Sequence, residues 1–307
     1  MTPVIRTEAL VKYYGRRRGL DGLDLEVRPG EIFGFLGPNG AGKTTTIRIL
    51  LDLIRPTSGS AELLGQHPRQ GGAELRRRVG YLPGDFTVDG GQSSRDLLTH
   101  LGHLRGGVPR QRIDELAERL DLDLGTRIRS LSKGNRQKVG VVQAFMHKPE
   151  LLILDEPTSG LDPLLQQTFL EMAREAKAAG QTVFMSSHVL SEVQQSADRV
   201  GIIREGRMIA VEAVETLRRH AVRRVEIHFD EPVDPAAFEG LPGVHDPRTD
   251  GSVLRCRLAG RADALVKVAA RYGVESIVVE EPDLEELFFT YYRGGDANHD
   301  GEPDDAA

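Results

Sequence analysis

The sequence has only one cysteine and no long apolar run. Because Cys256 is alone, no internal disulfide is possible, which fits a reducing compartment. No apolar stretch approaches the roughly 18 residues that a membrane-spanning helix needs. The opening MTPVIRTEAL has neither the basic start nor the apolar core of a signal peptide, so none is expected. These absences predict a soluble, cytoplasmic protein, for which any membrane role requires a separate partner.

Positive charge is also in short supply, since the formal net charge is -6 and the pI is about 5.9. These values disfavour binding of nucleic acid through a broad positively charged surface. We therefore expect no nucleic-acid partner.

The first two thirds of the chain follow an alternating pattern of strands and helices. Short apolar runs predict strands at 31–36, 151–155, 182–187 and 199–206. A helix is predicted from Thr44 to about Leu53, and a block rich in Leu, Arg and Glu at 93–147 predicts several more helices. This alternation favours an α/β fold with a mostly parallel sheet.

The pattern changes near residue 220. Residues 222–292 predict strand, short helix, two strands, helix, strand and a last helix, which is the order of a small α+β unit of the βαββαβ type. Cys256 alternates with Leu254 and Leu258, so it is predicted to be a buried strand residue rather than a nucleophile. Residues 294–307 are acidic and without periodicity, and we expect a disordered tail.

The segment GPNGAGKTT lies between a predicted strand and a predicted helix and fits the phosphate-loop pattern G-x-x-x-x-G-K-[ST]. Glycines let backbone N–H groups surround an anion, and the helix N-terminus adds positive charge. Lys43 can reach the β- and γ-phosphates, and the Thr44 hydroxyl can bind Mg²⁺. The alternative is a glycine-rich turn with an exposed lysine, which the strand-loop-helix context disfavours. The predicted nucleotide-binding residues here are Gly37, Pro38, Asn39, Gly40, Ala41, Gly42, Lys43, Thr44 and Thr45.

Two acids end the predicted strand LLILD. Burying adjacent carboxylates is costly unless a site needs them. In phosphoryl transfer, Asp155 would hold Mg²⁺ through a water and Glu156 would polarise the attacking water. The alternative is a solvated strand end before the turn at Pro157. His188 ends a neighbouring predicted strand, at the sheet edge where open α/β folds bind ligands, and is a candidate to sense or stabilise the γ-phosphate.

A second anion site is predicted in LSKGNRQ (131–137), where the Ser132 hydroxyl and the Gly134 N–H precede a helix from about Asn135 to Phe145. If this corner lies too far from Lys43 within one chain, it must serve the nucleotide of another. A head-to-tail pair would then enclose two ATP molecules. Asp162, in SGLD, is the least determined residue, because an Asp before Pro163 is also an ordinary helix N-cap.

Together these motifs resemble the ATP-binding cassette (ABC) family over residues 3–220. The motifs occur once each, in the family's order: LGPNGAGKTTT as Walker A, LSKGNRQ as the signature, LLILDEP as Walker B, SGLD as the D-loop and SSH as the switch histidine. The resemblance implies ATP and Mg²⁺ as cofactors, with catalytic roles for Lys43, Glu156 and His188. It also implies an antiparallel β subdomain and a helical subdomain at about 93–147. Tyr14 matches the position that stacks on adenine, although a core or edge-strand role is the ordinary alternative.

Two positions depart from the family pattern. Gly84, in VGYLPGDF, stands where the family usually has a glutamine that helps to coordinate Mg²⁺ and couples the site to the membrane partner. A water-mediated contact from Asp85 is our hypothesis for its replacement. Lys133 and Asn135 stand where Gly and Gln are commoner. Since Ser132 and Gly134 keep the anion-binding groups, we expect function to persist. Two positions are open for the Lys133 cation, contact with the γ-phosphate or solvent, and we favour solvent.

Residues 222–292 resemble the appendage of ABC ATPases that serve two-component exporters, including the antibiotic-resistance type related to daunorubicin export. The resemblance implies an ATP-dependent homodimer that powers export of a drug, antibiotic or lipid. A separate permease would dock at 81–105 and hold the chain at the cytoplasmic face of the membrane.

Two other classes remain open at this point. A soluble ABC ATPase acting on nucleic acid or the ribosome usually carries two cassettes in one chain, whereas this sequence has one phosphate loop. A P-loop kinase or small-molecule transferase gives no reason for LSKGNRQ or SGLD.

Overall fold

The computed structural model describes residues 2–88, 90–220 and 222–280, which divide into two units between Val211 and Glu212. The sequence pattern changes later, near residue 220, just before the first strand of the second sheet begins at Arg223. The predicted last helix of the 222–292 unit and the predicted disordered tail at 294–307 lie outside the described residues.

The first unit alternates strands and helices, as predicted. Its elements in chain order are β1 (Ile5–Tyr14), β2 (Arg17–Val27), β3 (Ile32–Leu36), α1 (Lys43–Leu50), β4 (Ser58–Leu63), α2 (Pro68–Arg77, interrupted at Gly72), β5 (Val79–Leu82), α3 (Ser94–Leu104), α4 (Arg110–Arg119), a 3-10 turn (Ile128–Ser130), α5 (Lys133–Phe145), β6 (Leu151–Asp155), α6 (Pro163–Ala178), β7 (Thr182–Ser187), α7 (Leu190–Ser196), β8 (Arg199–Arg204) and β9 (Arg207–Ala213), which extends past the division.

The main sheet has the strand order β5-β6-β7-β3-β8-β9, and the neighbouring strands from β5 to β8 pair in parallel. Strands β3, β6 and β7 are buried along their whole length, because the sheet is covered on both faces. Beside it, β2-β1-β4 form an antiparallel sheet. The predicted mostly parallel α/β architecture with an antiparallel β subdomain is confirmed.

Three phenylalanine rings from β3 and β7 pack together in the core of the first unit. Phe33 on β3 stacks on Phe184 of β7 with ring centroids 5.9 Å apart, and Phe35 packs on the same ring at 5.4 Å. All three rings are 0% exposed, and burying one such side chain stabilises a fold by about 1.5–3 kcal/mol. This packing fixes the strand ends from which the functional loops emerge.

The block predicted to be helical at 93–147 contains α3, α4 and α5. A capping box starts α3, in which Ser93 Oγ accepts from the Asp96 N–H at 3.1 Å and Asp96 accepts in return from the Ser93 N–H. Helix α5 begins at Lys133, two residues before the predicted start at Asn135. The reason is that Ser132 is its N-cap and accepts from the Asn135 N–H at 3.2 Å.

The second unit contains α8 (Val214–His220), β10 (Arg223–Phe229), a 3-10 turn (Pro235–Phe238), β11 (Val244–Asp250), β12 (Val253–Leu258), α9 (Asp263–Ala269) and β13 (Val274–Glu280). Its sheet is antiparallel with the order β11-β12-β10-β13. From β10 to β13 the predicted order of elements is confirmed, although the predicted short helix is a single 3-10 turn. Cys256 is 5% exposed, and burial raises the pKa of its thiol, as expected for a structural strand residue.

Within the described ranges, no helix is both long enough and apolar enough to cross a membrane.

Candidate nucleotide and catalytic site

The phosphate loop connects β3 to α1 and leaves no room for a side chain at its last glycine. Gly42, the N-cap of α1, has φ +114°, and a Cβ there would lie 2.7 Å from Leu20 Cδ2 and 2.9 Å from Gly19 O. Because Gly42 has no capping side chain, the first N–H groups of α1 stay available to an anion. The loop thus has the backbone donors that the sequence predicts.

Lys43 is buried at the start of α1. Its side chain is 5% exposed, and Nζ donates to Gly37 O at 2.6 Å and to Pro38 O at 3.2 Å. The same Nζ lies 3.5 Å from Glu156 Oε1. Burial lowers the pKa of Lys43, while the carboxylates of Glu156 and Asp155 oppose that shift. The ammonium is therefore held by two backbone carbonyls of the phosphate loop and faces the carboxylate of Glu156.

A cavity of about 350 Å³ opens above the phosphate loop. Its lining residues are Tyr14, Arg17, Arg18, Gly19, Asn39, Gly40, Gly42, Lys43, Thr44, Thr45, Arg48 and Glu156. The structure therefore brings most of the predicted nucleotide-binding residues to one cavity. Gly37 and Pro38 lie behind it, where their carbonyls hold Lys43, and Ala41 is buried.

Three arginines of this cavity were not predicted as site residues. Arg17 and Arg18 belong to the run YYGRRRG beside Tyr14, and Arg48 lies on α1. Arg18 also pairs with Asp21 at 2.8 Å. The available sequence signal was the basic run next to a candidate adenine-stacking residue. Together with Lys43 these side chains give the cavity the positive charge that a triphosphate requires.

Tyr14 lies at the end of β1, at the mouth of the cavity. Its side chain is 45% exposed, and its hydroxyl lies 3.4 Å from Thr45 Oγ1 of the phosphate loop. Lys12 Nζ is 5.3 Å from the ring centroid. The exposed ring is placed where a base could stack beside the phosphate site.

Asp155 ends β6 and is 2% exposed. Thr44 Oγ1 donates to its Oδ2 at 2.8 Å, and Ser186 Oγ donates to its Oδ1 at 2.5 Å. The two predicted metal ligands, Thr44 and Asp155, are therefore neighbours. Oxygen donors of this kind suit Mg²⁺, which takes one or two carboxylates and fills its remaining positions with water and phosphate oxygens. Accordingly, no cluster of three or more His, Cys, Asp or Glu ligands occurs in the described parts of the chain.

Ser186 is a residue of the candidate site that the sequence interpretation missed. Strand pairing places it opposite Asp155, because β6 and β7 are adjacent and parallel. Besides donating to Asp155, its Oγ accepts from the Glu156 N–H at 3.1 Å. One hydroxyl thus bonds the carboxylate of Asp155 and the backbone of Glu156. The sequence offered one sign of this role. Ser186 stands one position before the end of the predicted strand 182–187, which His188 follows.

Glu156 lies between Lys43 and His188. Its backbone is left-handed (φ +48°), and its Oε1 lies 3.5 Å from Lys43 Nζ and 3.4 Å from His188 Nδ1. The carboxylate is 25% exposed and His188 is 48% exposed. A non-glycine residue in this backbone region is uncommon and marks a constrained position. These contacts favour the catalytic interpretation over a simple solvated strand end.

Gly84 leaves space beside Asp155. A Cβ built on it would lie 3.4 Å from Asp155 O and 3.5 Å from Asp155 Oδ2, which are ordinary contacts. Steric crowding therefore does not demand a glycine where the family usually has glutamine. Asp85 is exposed, and its water-mediated substitution for that glutamine stays a prediction.

The predicted second anion corner packs against the segment that follows Glu156. Gly134 sits so close to this segment that a Cβ would lie 2.7 Å from Gly160 O. The Gln137 amide donates to Pro157 O at 3.1 Å. Ser132 and Lys133 are exposed. Among the described residues, none of 131–137 lines the cavity above Lys43, so the corner does not face its own chain's nucleotide cavity.

Asp162 has the ordinary role that the sequence left open. It is the N-cap of α6, and its Oδ1 accepts from the Leu164 and Leu165 N–H groups at 3.1 Å each. It does not line the cavity of its own chain.

The fold and this site define a P-loop nucleotide hydrolase with a helical insertion. The family model described as ABC transporter matches residues 20–159. The chain is 35% identical over 306 residues to the bacitracin transport ATP-binding protein BcrA of Bacillus licheniformis, covering 96% of this chain and 99% of that protein. It is 35% identical over 298 residues to the daunorubicin resistance ATP-binding protein DrrA3 of Streptomyces coeruleorubidus, covering 92% and 94%.

A solved structure of an ATP-binding subunit of an ABC transporter is also similar. Its TM-score is 0.65 at 29% identity, covering 70% of this chain and 92% of that one. The chain belongs to the ABC transporter ATP-binding proteins. This confirms the predicted resemblance, nucleotide binding and ATPase activity. The kinase or transferase alternative is set aside, and the relatives' names give no support to a soluble ABC protein that acts on nucleic acid or the ribosome.

Proposed function

We propose that the chain is the motor subunit of an exporter and that it acts as an ATP-closed homodimer beside a separate membrane permease. The observation that carries the dimer is the predicted anion corner at Ser132 and Gly134, which stands at the N-terminus of α5 and does not line its own chain's nucleotide cavity. The names of the relatives, which refer to bacitracin transport and daunorubicin resistance, support export of a drug or an antibiotic. Export of another small molecule or of a lipid is part of the same proposal.

In this proposal the candidate site residues act on different parts of ATP and on the attacking water. Tyr14 stacks on the adenine, and the loop from Gly37 to Thr45 surrounds the phosphates. Thr44 and Asp155 hold Mg²⁺, which neutralises phosphate charge when it is bound. Glu156 polarises the attacking water. Lys43 and His188 stabilise the charge that develops on the γ-phosphate. Their shared contact with Glu156 Oε1 supports this division of roles.

The partner chain completes the site. Ser132, Gly134 and Asp162 of one chain contact the nucleotide held by the phosphate loop of the other, so two ATP molecules lie between two chains. Hydrolysis removes the γ-phosphate that both chains contact, which reopens the pair. The packing of Gly134 against Gly160 supports a shared movement of the signature corner and the D-loop.

The permease is proposed to dock at residues 81–105, which run from the Gly84 segment through α3. The chain would thereby lie at the cytoplasmic face of the membrane. We assign the cassette to residues 3–220 and an accessory domain to 222–292.

Co-purification tests the assignment to a transporter. The tagged chain is co-expressed with the membrane protein encoded beside its gene and extracted in detergent. We expect the two to purify together and ATP turnover in proteoliposomes to differ several-fold from that of the free chain, since coupled motors respond to their permease. Glu156→Gln should associate equally but show no such turnover. Sedimentation with ribosomes or retention of nucleic acid, without the membrane protein, would contradict the proposal.

A further inference from the structure

Glu192, on α7, connects two segments of the site that are far apart in sequence. Its Oε1 accepts a hydrogen bond from Thr158 Oγ1 at 2.7 Å, and its Oε2 accepts one from Ser187 Oγ at 2.7 Å. Thr158 is 4% exposed and Ser187 is 3% exposed, so both hydroxyls depend on protein partners. A single carboxylate therefore accepts from both hydroxyls, and Ser187 Oγ has Val189 O, at 3.1 Å, as its longer second acceptor.

Each of these hydroxyls adjoins a candidate catalytic group. Ser187 immediately precedes His188, and its Oγ also accepts from the Val189 N–H at 2.9 Å, which closes a turn around the histidine. Thr158 lies two positions after Glu156 and begins the segment that leads to Gly160 and the D-loop. The carboxylate of Glu192 thus holds the His188 turn against the chain that follows Glu156.

His188 lies close to Glu156 although much of its side chain is in solvent. Its Nδ1 is 3.4 Å from Glu156 Oε1, and the His188 side chain is 48% exposed. Its position therefore depends on the turn that carries it. Displacements of about 1 Å in a catalytic arrangement can cost about 100-fold in rate.

We propose that Glu192 is a positioning residue for ATP hydrolysis, which holds His188 in register with Glu156 through Ser187 and Thr158. This inference rests on the proposed catalytic roles of Glu156 and His188. Glu192 itself does not line the cavity, so it acts only through these neighbours.

A purely structural role is the alternative, since Glu192 also lies in the first turn of α7, where an acid favours the helix N-terminus. The two roles differ in what a substitution changes. A structural acid would alter the melting temperature, whereas a positioning residue alters kcat through His188.

The test is a double-mutant cycle on the full chain with Mg-ATP. Glu192→Ala is expected to lower kcat about 10- to 100-fold, with KM and the ATP dissociation constant changed less than about 3-fold. In a His188→Ala background the same substitution should change kcat less than about 3-fold, because the group that it positions is gone. Glu192→Gln can still bond both hydroxyls and should recover most of the activity. Exposed Glu118 on α4 gives the control Glu118→Ala.

Equal losses of kcat in both backgrounds, or no loss in either, would overturn the inference. If Glu192→Ala does not fold, Ser187→Ala and Thr158→Val replace it in the same cycle, since each removes one of the two hydroxyl contacts. Failure of Glu156→Gln to lower turnover would count against the proposed catalytic base instead, so the two failures are distinguishable.

Discussion

Replacing Glu156 with glutamine is expected to lower the ATP turnover number about 10²- to 10⁴-fold, the usual contribution of a positioned general base. The amide keeps the size of the side chain but cannot take the proton of the attacking water. Because Lys43 and the phosphate-loop donors stay in place, ATP should still bind with a dissociation constant within about 3-fold of the original. Phosphate release under saturating Mg-ATP and equilibrium ATP titration measure the two quantities.

Glu205 offers a matched control for this substitution. It is exposed and its backbone is also left-handed, with φ +50°, so Glu205→Gln repeats the chemical change at the same kind of backbone position outside the site. Normal turnover is expected for the control. If Glu156→Gln hydrolysed ATP as fast as the control, Glu156 would not be the catalytic base.

Replacing Lys43 with alanine is expected to weaken ATP binding as well as to lower turnover. Lys43 is the buried cation closest to Glu156, and its removal leaves that carboxylate facing the phosphates without compensation. Removing one partner of a buried charge pair typically costs about 2–5 kcal/mol, so we expect ATP affinity to fall about 100-fold. Calorimetric titration with ATP measures the change.

Lys267→Ala is the corresponding control, because Lys267 is an exposed lysine on α9 that pairs with Asp263 at 2.9 Å. It should bind ATP normally. An unchanged dissociation constant in Lys43→Ala would show that the Lys43 ammonium does not contact the phosphates and would reassign this role to Arg17, Arg18 or Arg48.

Much of the fold follows from local sequence signals. The runs at 151–155 and 182–187 predict the first and last residues of β6 and β7 correctly. Continuous apolar strands of this length occur where a sheet is covered on both faces. The phosphate loop and the acidic pair are also local, since each needs only its own strand end. These features could be identified before any contact was known.

Other features depend on tertiary register and could not be predicted. Ser186 meets Asp155 only because β6 and β7 pair in a particular alignment, and Glu192 meets Thr158 only after α7 has packed beside them. Likewise, Arg48 reaches the cavity from a face of α1 that sequence spacing alone does not relate to Tyr14. Hydroxyl and carboxylate residues at such positions look ordinary until their partners are known.

Asp162 illustrates a different limit. The sequence allowed both a helix N-cap and a D-loop contact across a dimer. In the chain described here its carboxylate caps α6, and that role does not decide what it contacts when a second chain is present.

The central claim is that two chains share each nucleotide through the Ser132–Gly134 corner, and light scattering tests it most directly. The solution mass of purified Glu156→Gln is measured with and without Mg-ATP, because removing the base should trap the ATP state. We predict that the mass doubles only with Mg-ATP and that adding Ser132→Arg abolishes the doubling, since its bulk and reach would disrupt the anion corner. A chain that binds Mg-ATP yet keeps the monomer mass, or that doubles equally with Ser132→Arg, would contradict the claim.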